Sequence, residues 1–478
     1  MNRTRLSLAP RAGAFLALSL LAACGGSAAP SAAPASSAAT GQAVAASGKP
    51  AAAPSAAAAG AASAKPAGSA AASGASGAAS TAPIKVGFIL PLTGVAAPVG
   101  QDNIDAFNLY LQSVNNTVAG RQIQVITADE GQPDAALTKA KQLTENEHVN
   151  VLMGINSTAS CYAIAPYVKQ VQEPLIVSLN CGAESLMTDP KYASPYLVRF
   201  TQNGTIINDP AADWAYSAGK RKAVLVTSDY GGGIENGDLF ASAFIKRGGS
   251  IIQEIYPPLG NSDFGPYLSK LDPSADLIMA FFQGVDALRF GEQYATYSGS
   301  NHPTVLELFG SVTSGPNLDQ LKDKAVGFVA SATYTTDSDT PENKAFMQAF
   351  SAKYPGRAIS ANIGQGWSMA QVLAAAIQKV NGNVEDKQAF MNALYSLTAN
   401  TAKGPVKLDP QHDVVQNTYI YETVKNGSSY AQKLQKTYEA VSRTWDRTQA
   451  EIDALQIGTH KGKWVGVTAA QVDQMEKK

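Results

Sequence analysis

The chain has 478 residues, too many for one compact domain of usual size, and balances 37 Lys+Arg against 38 Asp+Glu. No long basic or acidic block occurs, so charge gives no support to a nucleic-acid or acidic-substrate role. Three cysteines, Cys24, Cys161 and Cys181, exclude a disulfide scaffold and leave at most one internal pair.

The N-terminus reads as an export signal. Arg3, Arg5 and Arg11 form a charged region, followed by the apolar run Ala12 to Ala22, too short to span a bilayer as a mature helix. It ends in "LAAC", Leu21 to Cys24, which resembles a bacterial lipobox. That resemblance implies a signal peptide over 1–23 and lipidation of Cys24, with the lipid chains holding the protein at a membrane surface. Residues 24–82 collapse to Ala, Ser, Gly and Pro with Lys49 and Lys65 as the only charges, so a flexible tether is expected there.

From Ile84 onward, strands and helices alternate. "IKVGFIL" (Ile84 to Leu90), "QIQVITAD" (Gln122 to Asp129), "VNVLMGI" (Val149 to Ile155) and "PLIVSL" (Pro174 to Leu179) are separated by helical patterns. The rhythm repeats through "KAVLVTSD", "SIIQEIY", "DLIMAFFQ" and "TVLELF" between Lys222 and Phe309. "VGFVASATY" (Val326 to Tyr334) and helices around Glu342 to Lys353 and Gly364 to Lys379 follow. Two α/β units with parallel sheets are the expected fold class, with a ligand cleft at the carboxyl ends of the strands.

Catalytic chemistry finds little to work with. His148, His302, His412 and His460 lie away from central strand ends, and no GxSxG, CxxC or HExxH occurs. No enzyme activity, metal or cofactor is expected. "SDYGGGIENG", Ser228 to Gly237, misses the dinucleotide fingerprint and reads as a flexible loop displaying Tyr230. "GINSTASCYAIAP" places Ser157, Thr158 and Ala159 between a strand and a helix. Thr158 either caps that helix or meets an anion at its N-terminus. "LNCGAE", with Cys181 and Gly182, is a second polar strand end that is either another cap or the same pocket's wall. Cys161 and Cys181 fall at one edge of the first sheet, where they are either bridged or two buried thiols.

In ordered segments, "IKVGFILPLTGVAAPVGQD", "GINSTASCYAIAP", "PYLVRF", "VTSDYGGG", "YPPLGNSDFGPYLSKL", "ADLIMAFFQGVDA", "GPVKLDP" and "YEAVSRTWDRTQAEIDAL" resemble the extracytoplasmic solute-binding proteins of ABC transporters. The likeness is to the group that binds branched-chain amino acids and aromatic compounds. It implies two Rossmann-like lobes of the type I periplasmic binding protein fold, joined by three crossing segments near Asn203, Tyr334 and Asp409. Lobe 1 would comprise 83–204 plus 333–410 and lobe 2 would comprise 205–332 plus 411–456, with 457–478 as a tail. "YEAVSRTWDRTQAEIDAL" would be a carboxyl-terminal helix.

The resemblance also implies a monomer that captures a small organic ligand by hinge closure and delivers it to an ABC permease, outside the cytoplasm. Carried over residue by residue, Thr158 and the Ala159 amide receive the ligand carboxylate, with Ser157 beside them. Cys181 and Gly182 form the second ligand loop, Tyr230 covers the ligand, and Gln283 stands where amino-acid binders often have tyrosine. Those binders hold the ligand ammonium with an acid after the fourth strand of the second lobe, where this chain has Phe309, Gly310 and Ser311. An ammonium buried without a counter-charge is expensive, so an aromatic or aliphatic acid against Tyr230, Phe282 and Phe309 is favoured. Two alternatives stand beside it. One is a branched-chain amino-acid receptor using Glu307 or Glu184; the other is a ligand-sensing regulatory protein of the same fold.

Overall fold

Strands of two to nine residues in the first half of the chain form the first sheet. It holds β1 (Ile84–Leu90), β2 (Thr117–Val118), β3 (Arg121–Asp129), β4 (Val151–Gly154), β5 (Leu175–Val177) and β6 (Leu197–Arg199), in the order β2-β3-β1-β4-β5-β6. The computed structural model describes residues 80–297, 299, 302–313 and 315–476. The signal peptide, Cys24 and almost all of the expected tether lie outside them. Apart from the β2–β3 hairpin the pairing is parallel. Helices cover both faces, so β1 and β4 are buried along nearly their whole length.

The second sheet has nine strands. They are β7 (Lys222–Thr227), β8 (Ser250–Ile255), β9 (Leu277–Phe281), β10 (Thr304–Leu308), β11 (Val329–Ala332), β12 (Thr398–Thr401), β13 (Gly404–Leu408), β14 (Val414–Asn426) and β15 (Ser429–Val441). Their order is β12-β13-β14-β11-β10-β9-β7-β8, with β15 on β14. β7 to β11 pair in parallel, and β11 to β15 antiparallel. The β12–β13 hairpin is hydrogen-bonded to β14, yet Ala399 and Val406 pack in the first lobe's core. That arrangement runs one hydrogen-bonded sheet across the hinge.

The chain passes between the lobes three times, at 200–203, 333–340 and 409–413. These segments are held by buried polar contacts. Arg199 lies against Asp413, the Asn203 amide donates to Asp413, and the Thr335 hydroxyl bonds Gln432. The two lobes and three crossings are the type I periplasmic binding protein architecture.

Three details depart from the sequence reading. "YEAVSRTWDRTQAEIDAL" is not one helix: Tyr438–Val441 ends β15, and only Gln449–Ala454 is helical. Residues 457–476 are not a free tail. Trp464 and Val472 are fully buried in the second lobe's core, and the Trp464 indole donates to Asp238 at 2.7 Å. Gly231 to Gly237 is not a flexible loop but the first two turns of the helix Gly231–Lys246. Gly233 serves close packing, since a Cβ there would sit 1.9 Å from the Ser228 carbonyl oxygen. Among the described residues, no helix is long and apolar enough to cross a membrane.

Candidate functional site

Parallel strands of both sheets aim their carboxyl ends at one cleft, so the helices that follow begin there. A cavity of about 190 Å³ lies between the lobes. It is smaller than the roughly 300–1,000 Å³ of sites for drug-sized molecules. The helices that start on its wall include four of 13 residues or more, Ala97–Ser113, Thr158–Val171, Gly231–Lys246 and Gly284–Thr296. None of the four has a side chain capping its N-terminus. Two other long helices that begin at the cleft are capped, Gly204–Ser217 by Asn203 and Ala361–Lys379 by Ser360, as are Pro341–Lys353 by Thr340 and Lys387–Tyr395 by Asp386.

The helix at Thr158 is prepared from below. Glu130, which follows β3, accepts the amides of Asn156 (2.8 Å) and Ser157 (2.9 Å). This fixes the loop and leaves the first turn of the helix facing the cleft. Burial raises the Glu130 carboxyl above its usual range, against the pull of those amides.

Among the described residues, no Lys, Arg or His lines the cavity; its acids are Asp102 and Glu235. Asp102 is already engaged, taking Arg357 at 2.6 Å and the Ser360 hydroxyl at 2.6 Å. Among the described residues, Glu235 has no ion-pair partner. Its Oε2 stands 3.5 Å from the Thr158 hydroxyl across the cleft. Burial, and then the neighbouring Glu184 carboxylate, push its carboxyl up to about 8.

The lobes also meet through a polar chain. The Asn156 side-chain amide donates to the Gln283 oxygen at 3.3 Å, and the Gln283 amide donates to the Tyr230 hydroxyl at 2.6 Å. Near them, Gly284 lies so close to the first lobe that a Cβ would sit 1.8 Å from the Val95 carbonyl oxygen. Aromatic surface comes from Tyr230, Phe281 and Phe309, with Phe281 and Phe309 centroids 5.1 Å apart.

Of the residues singled out from sequence, Thr158, Gly182, Tyr230, Phe282, Gln283 and Phe309 border the cavity. Ser157 and Ala159 are not among its lining residues, and Cys181 is fully buried behind it. Cys181 is bonded to Cys161, with Cα atoms 6.6 Å apart. Phe282 turns its ring away, stacking on Phe290 at 4.7 Å inside the core; Phe281 supplies the ring expected of it. Glu307 is buried and accepts the Thr313 amide at 3.0 Å. Glu184 accepts the Thr205 amide at 2.9 Å and pairs with Arg443 at 3.0 Å. Neither acid reaches this cavity, so neither can hold an ammonium in it. Asn156, the amide of the first polar strand end, also lines the site, and Asn180, Glu235 and Asn362 do so without having been singled out. Each faces a partner distant in sequence, and no local spacing signals it.

Residues 83–428 match the family described as "Periplasmic binding protein". The chain is 28% identical over 371 residues to Leu/Ile/Val-binding protein homolog 6 of Brucella melitensis, covering 76% of this chain and 93% of that protein. An ABC transporter substrate-binding protein from Sphaerobacter thermophilus superposes with a TM-score of 0.70 at 31% identity, covering 75% of this chain and 98% of the other. A solute binding protein of an ABC transporter from Rhodopseudomonas palustris BisB5, in complex with 3,4-dihydroxy benzoic acid, gives 0.71 at 29%, covering 76% and 99%. Family, fold and cleft agree, and the chain belongs to the periplasmic binding proteins, as an ABC-transporter solute-binding protein that works outside the cytoplasm and hands a small ligand to a membrane permease.

Proposed function

We propose that the ligand is a small carboxylic acid with an aromatic or aliphatic body, captured by closure of the two lobes. The observation that carries this reading is the set of four uncapped helix N-termini around a cavity without a basic side chain. Amide donors and the positive ends of helix dipoles favour an anion there. Thr158 would add a hydroxyl donor to the carboxylate, while Tyr230, Phe281 and Phe309 would flank the body of the ligand. The relative complexed with 3,4-dihydroxy benzoic acid supports an aromatic acid. Cys24 would carry the lipid that keeps the receptor near its permease.

A second reading has one observation in its favour. Glu235, opposite Thr158, stands where it could meet an α-ammonium, as a branched-chain amino acid would require. Burial disfavours its charged form, which makes this the weaker reading. Calorimetry with benzoate, 4-hydroxybenzoate and leucine separates the two. Binding of the benzoates with leucine inert supports the acid; leucine binding with the benzoates inert overturns it.

A further inference from the structure

Among the described residues, Glu235 is the one carboxyl on the cavity wall that forms no ion pair. The nearby guanidinium groups are committed elsewhere, Arg199 to Asp413 and Arg443 to Glu184. Its surroundings are otherwise acidic or neutral. Glu184 and Tyr162 face it from the first lobe, and Asp238 lies on its own helix. Behind it opens a second, polar cavity bordered by Arg443 and Asp453, and its Cγ lies against Gly458. Closing the lobes therefore encloses a carboxyl opposite the very hydroxyl expected to receive a ligand carboxylate. Two carboxylates cannot share such a place with both charged.

We propose that capture is proton-linked: as the lobes close on a carboxylate ligand, Glu235 takes one proton from solvent, and its neutral carboxyl donates a hydrogen bond to the ligand. This rests on the carboxylate reading of the site. The direction of the effect follows from linkage. An ordinary solvated glutamate ionises near 4.5, the reference for an open cleft, whereas Glu235 in the present structure holds its proton up to about 8. Closure is then unhindered below the lower value. It weakens as pH rises between the two and levels off above the upper one.

Benzoate serves as the probe, since it stays ionised throughout that range. Its affinity for the protein and for Glu235→Gln is measured by calorimetry from about pH 5 to about pH 9, in two buffers of different ionisation enthalpy. The wild type should lose up to roughly tenfold in affinity per pH unit below about pH 8, with net proton uptake. Glu235→Gln, which stays neutral and can still donate, should bind with no such slope. Benzoate binding in the wild type with no pH slope and no proton uptake overturns the linkage while leaving the carboxylate reading intact. Leucine binding with benzoate inert overturns both. The proton count is made on the wild type, so a poorly folded variant does not shield the proposal.

Discussion

Arg199 and Asp413 form a fully buried ion pair, Nη2 to Oδ2 at 2.5 Å, that ties the last strand of the first sheet to the third crossing segment. Nε of Arg199 also reaches Oδ1 at 2.8 Å, making the pair bidentate. The same guanidinium donates to the Ala183 carbonyl, and the Asn203 amide donates to Asp413, so one pair anchors two of the three crossings. Burial alone would raise the Asp413 carboxyl, but Arg199 holds it below the usual carboxylate range.

Asp413→Asn leaves the guanidinium buried without its counter-charge. We expect a loss of about 3–5 kcal/mol in urea unfolding, the usual penalty for breaking a buried pair. Because the native carboxyl is depressed, the stabilisation should persist at neutral pH and fade only as pH falls through and below the normal carboxylate range. A loss under about 1 kcal/mol would show that the hinge is held by packing instead.

Gly284 reports on closure. Its φ of +53° is a conformation side chains rarely adopt, and its Cα faces the Val95 carbonyl across the cleft. Gly284→Ala should leave the separate lobes folded but obstruct their approach. We expect ligand affinity to fall by roughly tenfold or more. Small-angle scattering should show a smaller contraction with saturating ligand than in the wild type. Unchanged affinity and contraction would mean that this contact does not limit closure.

The Cys161–Cys181 bond links the helix after β4 to the loop after β5 and closes a loop with a separation of 20 residues. It thereby joins the segment that presents Thr158 to the one that presents Gly182. Replacing both cysteines by Ala should cost about 3 kcal/mol on the loop-entropy model. Non-reducing alkylation of the unfolded protein checks the bond directly. Labelling of both thiols without reductant would remove it.

The parallel strands were legible because burial on both faces makes them continuous apolar runs; β1 is the quoted segment itself. β14 and β15 were not. They form an antiparallel ribbon whose polar residues, such as Gln416, Lys433 and Gln435, interrupt any apolar run. Thr158 was legible because a strand end followed by a hydroxyl and a helical pattern is a local signal. Glu235 was not, since "GGGIENG" looks like a loop until Gly233 is seen packing on Ser228. Its partner Thr158 lies 77 positions away in the other lobe. Trp464 shows the same limit, a single aromatic in a polar stretch that becomes core only through Asp238.

Thr158→Ala removes the hydroxyl at the mouth of the uncapped helix. We expect ligand affinity to fall by about 1–3 kcal/mol, the range for a lost hydrogen bond to a charged group. Thr158→Ser should restore most of it. Equal affinity of all three proteins would take Thr158 out of the site.

Lys403 supplies the last prediction. It sits in the turn between β12 and β13, fully enclosed, and donates to the Phe200 carbonyl at 2.8 Å and the Gln365 side-chain oxygen at 3.0 Å. Both acceptors are neutral, and no carboxylate pairs with it among the described ion pairs. Burial therefore dominates and lowers its ammonium from the ordinary 10.5 to about 7. Unfolding returns it to water, where it binds a proton at any pH between those values. Stability should therefore rise with pH across that window, by up to about 1.4 kcal/mol per unit from this group alone. Lys403→Met keeps most of the volume and removes the titration. It leaves the two acceptors short of a donor, a cost of about 1–3 kcal/mol, and at the same time removes the burial penalty on the ammonium, so absolute stability at one pH does not isolate the effect. The diagnostic quantity is the slope, read from urea unfolding at about pH 7 and about pH 9, where the wild type should gain stability relative to the Met variant. Parallel pH profiles for the two proteins would mean that Lys403 stays charged in the fold, its ammonium satisfied by the two carbonyl-type oxygens that hold it.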